Sequence, residues 1–275
     1  MPCSRDVDQC DESSVSAAAR KQLSSAGIQA DSFSQLLYVL PKDYGSVCGW
    51  ASISDLPGRQ SWFSADSYGI FAKGTVMQEM LNNLGLYNAW RDGIESSDSS
   101  TAMGFGDSCP SAPELRRLGW ATPLAQLNSS SFPLATFKTF TLPATYLGPT
   151  GVMIMIQPDW LGTVAYKKNL YLSLRVRAAG DRELTEEFNG KLSIHELNKD
   201  MDNDFFVPGD PRVSLVQVIN PGSAVTFASY KLALSTNALV NGGSSIPITL
   251  CRFADRSAEC ASSGATLRAV ITDYN

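Results

Sequence analysis

TVMQEMLNNLGLYNAW, Thr75 to Trp90, is the stretch around which the chain is organised. Val76, Met77, Met80, Leu81 and Leu84 recur at three- and four-residue spacing, which predicts an amphipathic helix over Thr75–Leu86 with those side chains buried. Gln78 and Asn82 stand four apart and leave the helix on the same side. Gly85 suits a left-handed turn that ends the helix and swings the chain back. Asn88 is then expected to come round toward Gln78 and Asn82.

The composition bounds what such a helix can serve. Of 275 residues, 44% are hydrophobic and 18% charged, enough apolar material for a packed core. A net charge of -5 gives no electrostatic reason to expect a nucleic-acid partner or an anionic membrane surface. No apolar run is long enough to span a bilayer, and the best of them, Gly151 to Gln157 (GVMIMIQ), has the length of a strand. The first residues, MPCSRDVDQC, are polar and do not read as a signal peptide, so a secreted form is expected to be processed or truncated.

Six cysteines, none in a CxxC pair, accompany a single histidine, His195. That pattern disfavours a Cys/His zinc knuckle and favours disulfides in an oxidising compartment. Cys3 with Cys10 and Cys251 with Cys260 are near enough to close small loops, leaving Cys48 to pair with Cys109. Reduced, buried thiols in an intracellular protein are the alternative. Asn128-Ser129-Ser130 is a glycosylation sequon, which fits the secretory route.

Ahead of the helix, Asp11 to Gly27 reads as a first helix, with a thin apolar stripe at Val15, Ala18, Ala19 and Leu23. Gln35 to Leu40 reads as a buried strand stopped by Pro41. The loop-rich segment Lys42 to Ala72 carries Trp50 and Trp62, expected at a core edge. After the helix, Pro113 sits at the first turn of a short helix that ends near Gly119.

Laid on the zinc-helix spacing His-Glu-x-x-His-x-x-Gly-x-x-His of metzincin proteases, this chain has Gln78, Asn82 and Asn88 at the histidine positions, with Glu79 and Gly85 in place. Flanking pieces extend the likeness: VLP (Val39 to Pro41), CGWA (Cys48 to Ala51), TAMGFG (Thr101 to Gly106) and CPSAPELRRLGW (Cys109 to Trp120). With QEMLNNLGLYNAW (Gln78 to Trp90) between them, these resemble the gametolysin family of algal cell-wall metalloproteases. The likeness continues more loosely through RVRAAGDREL, KLSIHELNKD and DPRVSLVQVI. The resemblance implies a metzincin-like domain, secretion, and cell-wall or matrix proteins as the ancestral substrate. It implies Met103 as the methionine turn under the metal and Glu79 as the former general base. Amides are poor ligands for Zn²⁺, and without the metal Glu79 has no water to activate. The expectation is therefore no zinc and no catalysis.

Beyond Pro123 strand signals recur. Strands are expected over Phe132–Leu142, Gly151–Gln157, Asn169–Arg177, Val213–Ile219, Ala224–Leu234, Ile246–Phe253 and Thr266–Thr272. In Asn169–Arg177 the leucines and Val176 are expected inward, with Tyr171, Ser173, Arg175 and Arg177 outward on a charged solvent face. Asp200, Asp202 and Asp204 alternate as in a calcium loop but lack its glycine and distal glutamate. A solvated acidic loop is the expectation there, calcium the alternative. His195 is expected as a satisfied residue at a strand end and an edge. The chain thus reads as α+β: a degenerate metzincin-like domain over residues 1–122 and an antiparallel β-sandwich over 123–275. The expected role is structural or binding, with protein partners in an extracellular, cell-wall or cell-surface assembly. The alternative is a zinc metalloendopeptidase acting on cell-wall or matrix proteins.

Overall fold

The computed structural model describes residues 10–42 and 44–261. The protein is α+β, built mostly of strands, and divides into two compact units, Met1–Tyr87 and Asn88–Asn275. The boundary expected after residue 122 falls inside the second unit, because one sheet takes strands from both sides of it.

Among its described residues the first unit has three α-helices, α1 (Glu12–Ser25), α2 (Tyr44–Cys48) and α3 (Lys73–Asn83), and a three-stranded sheet. Its strands are β1 (Leu36–Leu40), β2 (Ser52–Ser54) and β3 (Gln60–Ser64), in the order β1-β3-β2. β1 runs parallel to β3 and β2 antiparallel to it. Asp11 caps α1 by accepting from the Ser14 amide at 3.0 Å, and Gly27 follows at φ +77°. Val15, Ala19 and Leu23 of α1 pack on Leu36, Tyr38 and Leu40. Trp62 joins this core, stacked on Tyr38 at 5.5 Å. β1 is buried on one face only: Leu37 and Val39 are exposed, so the continuous burial expected for this run is corrected to alternation.

The described residues of the second unit form two sheets. The larger runs β5-β4-β11-β10-β9-β8-β6. Its strands are β4 (Trp90–Arg91), β5 (Ile94–Glu95), β6 (Ala125–Leu127), β8 (Ile154–Ile156), β9 (Lys168–Arg175), β10 (Lys191–Asn198) and β11 (Ser214–Ile219). The smaller runs β12-β13-β14-β7, with β7 (Phe137–Pro143), β12 (Ala224–Phe227), β13 (Leu232–Thr236) and β14 (Ser245–Arg252). One core joins them: Leu170, Leu172, Leu192 and Ile194 from the large sheet with Leu234, Ile246, Ile248 and Leu250 from the small one. Each such fully buried side chain stabilises by about 1.5–3 kcal/mol.

Only the small sheet is wholly antiparallel. In the large one β6 is parallel to β8, and β4 to β11. The first of these pairs arises because the chain crosses to the other sheet as β7 and returns in its original direction. The single strand expected over Ala224–Leu234 is two, β12 and β13, broken by a turn at Ala228–Tyr230. The strand expected at Thr266–Thr272 lies outside the described residues. No helix of the described residues is long and apolar enough to cross a membrane.

The far face of the large sheet departs most from expectation. β9 is buried on both faces, and Tyr171, Ser173 and Arg175 are all inaccessible. The segment that includes α4 (Ala112–Arg117) covers them. Arg175 therefore lies in no solvent-facing row. It grips Asp181 through Nε (3.0 Å) and a second guanidinium nitrogen (2.8 Å). Arg177 is half exposed and donates to the Leu184 carbonyl at 2.7 Å. His195 is neither at a strand end nor at an edge: it sits within β10, the central strand of the seven, and is fully buried.

Among the described residues two disulfides are formed, Cys10–Cys48 and Cys251–Cys260. The second was expected. The first overturns the expected Cys3–Cys10 and Cys48–Cys109 pairs, because α1 and α2 pack on the same sheet and bring Cys10 and Cys48 to a Cα separation of 5.6 Å. Cys3 lies outside the described residues.

Candidate functional site

Helix α3 (Lys73–Asn83) forms in the expected stretch, starting two residues before and ending three residues before the expected Thr75–Leu86, but it presents a different face. Gln78, Glu79, Leu81 and Asn83 are buried, whereas Met80 (37%) and Leu84 (52%) are exposed. The expected burial of Met80 and Leu84 is thereby corrected. The reason lies in the surface the helix meets. β2 and β3 offer hydroxyls rather than methyls, and polar helix positions satisfy them. Asn83 donates to Ser61 Oγ at 2.7 Å and to Gln35 Oε1 at 2.9 Å.

Glu79 is held the same way. Ser52 Oγ donates to its Oε1 at 2.6 Å, Ser54 Oγ to its Oε2 at 2.5 Å, and Asn82 Nδ2 to Oε2 at 3.3 Å. Ser52 and Ser54 were not singled out from the sequence. Their spacing of two along β2, which puts both on one face of a strand, is the signal that could have found them. Gly85 adopts φ +88°, and its amide donates to the Asn82 carbonyl at 2.8 Å, closing the helix as its residue type suggested. Gln78 and Asn82 thus lie in the first unit. Asn88 opens the second, where its Nδ2 donates to Glu95 Oε1 at 3.1 Å.

These residues do not fit a zinc ion. The positions carry neutral amide oxygens, weak ligands for a borderline-soft cation. The neighbouring carboxylate has both oxygens occupied by hydroxyl donors. Asn82 gives its nitrogen to Glu79, and its Oδ1 is buried without a partner among the described residues. Among the described residues no group of three or more His, Cys, Asp or Glu side chains could hold a metal. In chemical terms the arrangement is a clamp between helix and strand. We expect Glu79→Ala to leave two hydroxyls unsatisfied and to cost about 1–3 kcal/mol in urea unfolding. An unchanged midpoint would show that the clamp carries no stability.

Met103 lies in the second unit, in a 3₁₀ turn over Ala102–Gly104, and is fully buried. Its amide donates to Thr101 Oγ1 at 3.2 Å, and its carbonyl accepts from Ala89 at 2.8 Å. The glycines around it are needed for close approach. A Cβ on Gly104 would meet the Asp98 carbonyl at 2.2 Å, and one on Gly106 the Ser99 carbonyl at 2.3 Å.

Beside this turn runs a buried polar layer that the sequence did not announce. Asp98 Oδ2 meets His195 Nε2 at 2.9 Å, and its Oδ1 accepts from the Ser100 amide at 3.0 Å. Burial pushes the Asp98 carboxyl up, but the hydrogen bond and charge of His195, with the Ser100 contacts, hold it below its ordinary value. Glu114 Oε2 accepts from Thr101 Oγ1 and from the Ser111 amide, both at 2.6 Å. Burial pushes its carboxyl up. All of these side chains are inaccessible, so the layer is structural rather than a reaction centre.

Asp200, Asp202 and Asp204 do not form a cation loop. Lys199–Asn203 is a helical turn, α5, whose neighbours two apart point to different sides. Asp202 turns inward, accepting from Asn169 Nδ2 at 2.7 Å and from the Tyr171 hydroxyl at 2.9 Å. Asp200 pairs with Lys199, and Asp204 caps the Phe206 amide at 3.0 Å. Asp202 also corrects the expected solvated loop, because it is 1% exposed and burial pushes its carboxyl up.

Comparison with known proteins agrees with the motifs. Over 109 residues the chain is 32% identical to Autolysin of Chlamydomonas reinhardtii, a stretch amounting to 36% of this chain and 17% of that protein. The matched stretch therefore spans less than a fifth of that relative's length. No solved structure matches the chain. The profile of the Gametolysin peptidase M11 family matches residues 1–231. With most of its length so matched, the chain belongs to the gametolysin peptidase family.

Proposed function

We propose that this chain is a gametolysin-family protein without hydrolytic activity, and that it serves a structural or binding role in an extracellular or cell-surface assembly. The observation that carries this reading is the state of Glu79. A general base for peptide hydrolysis must reach a metal-bound water. Here the carboxylate is committed to Ser52 and Ser54 on its own sheet. Gln78, Asn82 and Asn88 stand where the family's zinc ligands would be.

The metzincin-like arrangement of the first unit is part of the same reading. Its support is the helix α3, closed by a glycine in the left-handed region, on a three-stranded sheet, with a methionine turn downstream. The two disulfides favour an oxidising, extracellular setting. Protein partners, rather than nucleic acid, suit the net charge of -5. Membership of a peptidase family favours a second reading, a zinc endopeptidase acting on cell-wall or matrix proteins.

Two measurements on the full chain separate these readings. Elemental analysis after purification in zinc-containing buffer is expected to find far less than one zinc per chain. Incubation with extracellular matrix protein is expected to release no fragments above a control without the chain. One tightly held zinc per chain, together with chelator-sensitive cleavage, would establish the peptidase instead.

A further inference from the structure

The geometry points to Asn128 as an N-glycosylation site. The sequon Asn128-Ser129-Ser130 lies just after β6, where the chain leaves the large sheet. The Asn128 side chain is folded into a turn that uses one of its two polar atoms. Its Oδ1 accepts from the Ser130 amide (3.1 Å), the Ser130 hydroxyl (2.7 Å) and the Ser131 amide (3.0 Å). Its Nδ2 has no partner among the described residues and is not among the buried unsatisfied atoms, so it reaches solvent.

That division matters because glycan transfer consumes only the nitrogen. Nδ2 loses one hydrogen as a proton to a base of the transferase and forms a bond to the anomeric carbon of the sugar. The bond from that carbon to the diphosphate of a lipid-linked oligosaccharide donor breaks, and the diphosphate leaves with the electron pair. Oδ1 remains an acceptor, and all three turn hydrogen bonds survive in the product. Ser129 anchors the turn without obstructing Nδ2, since its amide and hydroxyl donate to Asp159 at 2.6 and 2.7 Å. The Asn128 backbone amide is satisfied by Ser131 Oγ at 3.0 Å. A glycan at Asn128 therefore displaces no contact of the fold, and it projects beside Ser129 and Ser130, which are both exposed.

The test is to direct the full chain into a eukaryotic secretory pathway with a cleavable leader. The product is treated with an amidase that removes N-glycans in heavy-oxygen water, and the peptide containing Asn128 is read by mass spectrometry. The expected result is conversion of Asn128 to heavy-oxygen aspartate. Asn128→Asp keeps the three acceptor contacts but lacks the nitrogen, so it should lose the glycan-dependent mobility shift. After deglycosylation it should melt with the wild type. Ser130→Thr should retain the shift. An exported wild-type chain bare at Asn128, or a shift that persists in Asn128→Asp, overturns the assignment. Because the leader sets the route, this outcome is independent of where the protein natively resides.

Discussion

Replacing Asp181 with alanine is expected to cost about 3–5 kcal/mol of folding stability, the range for removing one partner of a buried ion pair. Arg175 is 0% exposed and Asp181 2%. The guanidinium donates through two nitrogens to the two carboxylate oxygens, at 3.0 and 2.8 Å. The contact also fixes a distant loop: Arg175 donates to the Cys109 carbonyl at 3.0 Å, and the Cys109 amide donates to Asp181 at 2.8 Å. Without Asp181 the cation stays in a medium that solvates it poorly, and the cost of leaving it there dominates the loss. At the usual scaling for a unit of this size, the melting temperature should fall by roughly 10 °C. The double replacement Arg175→Met with Asp181→Leu should recover most of that loss, since apolar packing often substitutes for such a pair at little net cost. A single Asp181→Ala variant that melts with the wild type would show the pair to be solvated in solution.

Asp98 gives the second large effect, and it depends on pH. Its folded carboxyl titrates below the ordinary value of 3.8, while in the unfolded chain it titrates near that value. The pair with His195 is therefore fully stabilising above that range, and its contribution is lost as pH falls through the folded value. Asp98→Asn should unfold more easily at neutral pH, by about 1–3 kcal/mol, the range for breaking a buried hydrogen bond and leaving its partner unsatisfied. The substitution takes the carboxylate away from His195, and the other ring nitrogen already lacks a partner among the described residues. The variant should also lose much of the acid-induced decline, so that its stability curve runs flatter than the wild type's between neutral pH and the carboxylate range. Parallel curves for the two proteins would mean that Asp98 does not control the acid limb.

The family and the broad class were legible in the sequence because they rest on local chemistry. A glycine at the end of an apolar-periodic stretch closes a helix wherever that helix lies, and Gly85 does so at φ +88°. Pro113 opens a short helix for the same kind of reason: its missing amide costs nothing in a first turn. That positions 78, 82 and 88 carry amides and not imidazoles is read directly from residue type. Of the small sheet, β14 was legible where it lies, since its apolar residues alternate, whereas β12 and β13 read as one strand because the turn at Ala228–Tyr230 carries no glycine or proline.

Burial on the other faces was not legible. Alternation along β9 marked Tyr171, Ser173 and Arg175 as outward, which is correct for a sheet with one covered face. Whether a second layer covers the other face depends on chain far away in sequence, and here that layer is polar. The same holds for α3. Its apolar stripe was real, but Ser52, Ser54 and Ser61 recruited the polar side of the helix, leaving Met80 and Leu84 outside. The Cys10–Cys48 bond likewise follows from two helices sharing one sheet, not from nearness in sequence. By itself the sequence determined the family, a helix in this stretch (Lys73–Asn83 in the structure) and the absence of imidazole at positions 78, 82 and 88, because each is a property of residue type and short spacing. The tertiary structure alone decided that Glu79 is a clamp and that Arg175 with Asp181, and Asp98 with His195, form buried polar pairs. A side chain's partner is set by what packs against it, and the hydrogen bonds that make a buried charge tolerable come from segments that only folding brings together.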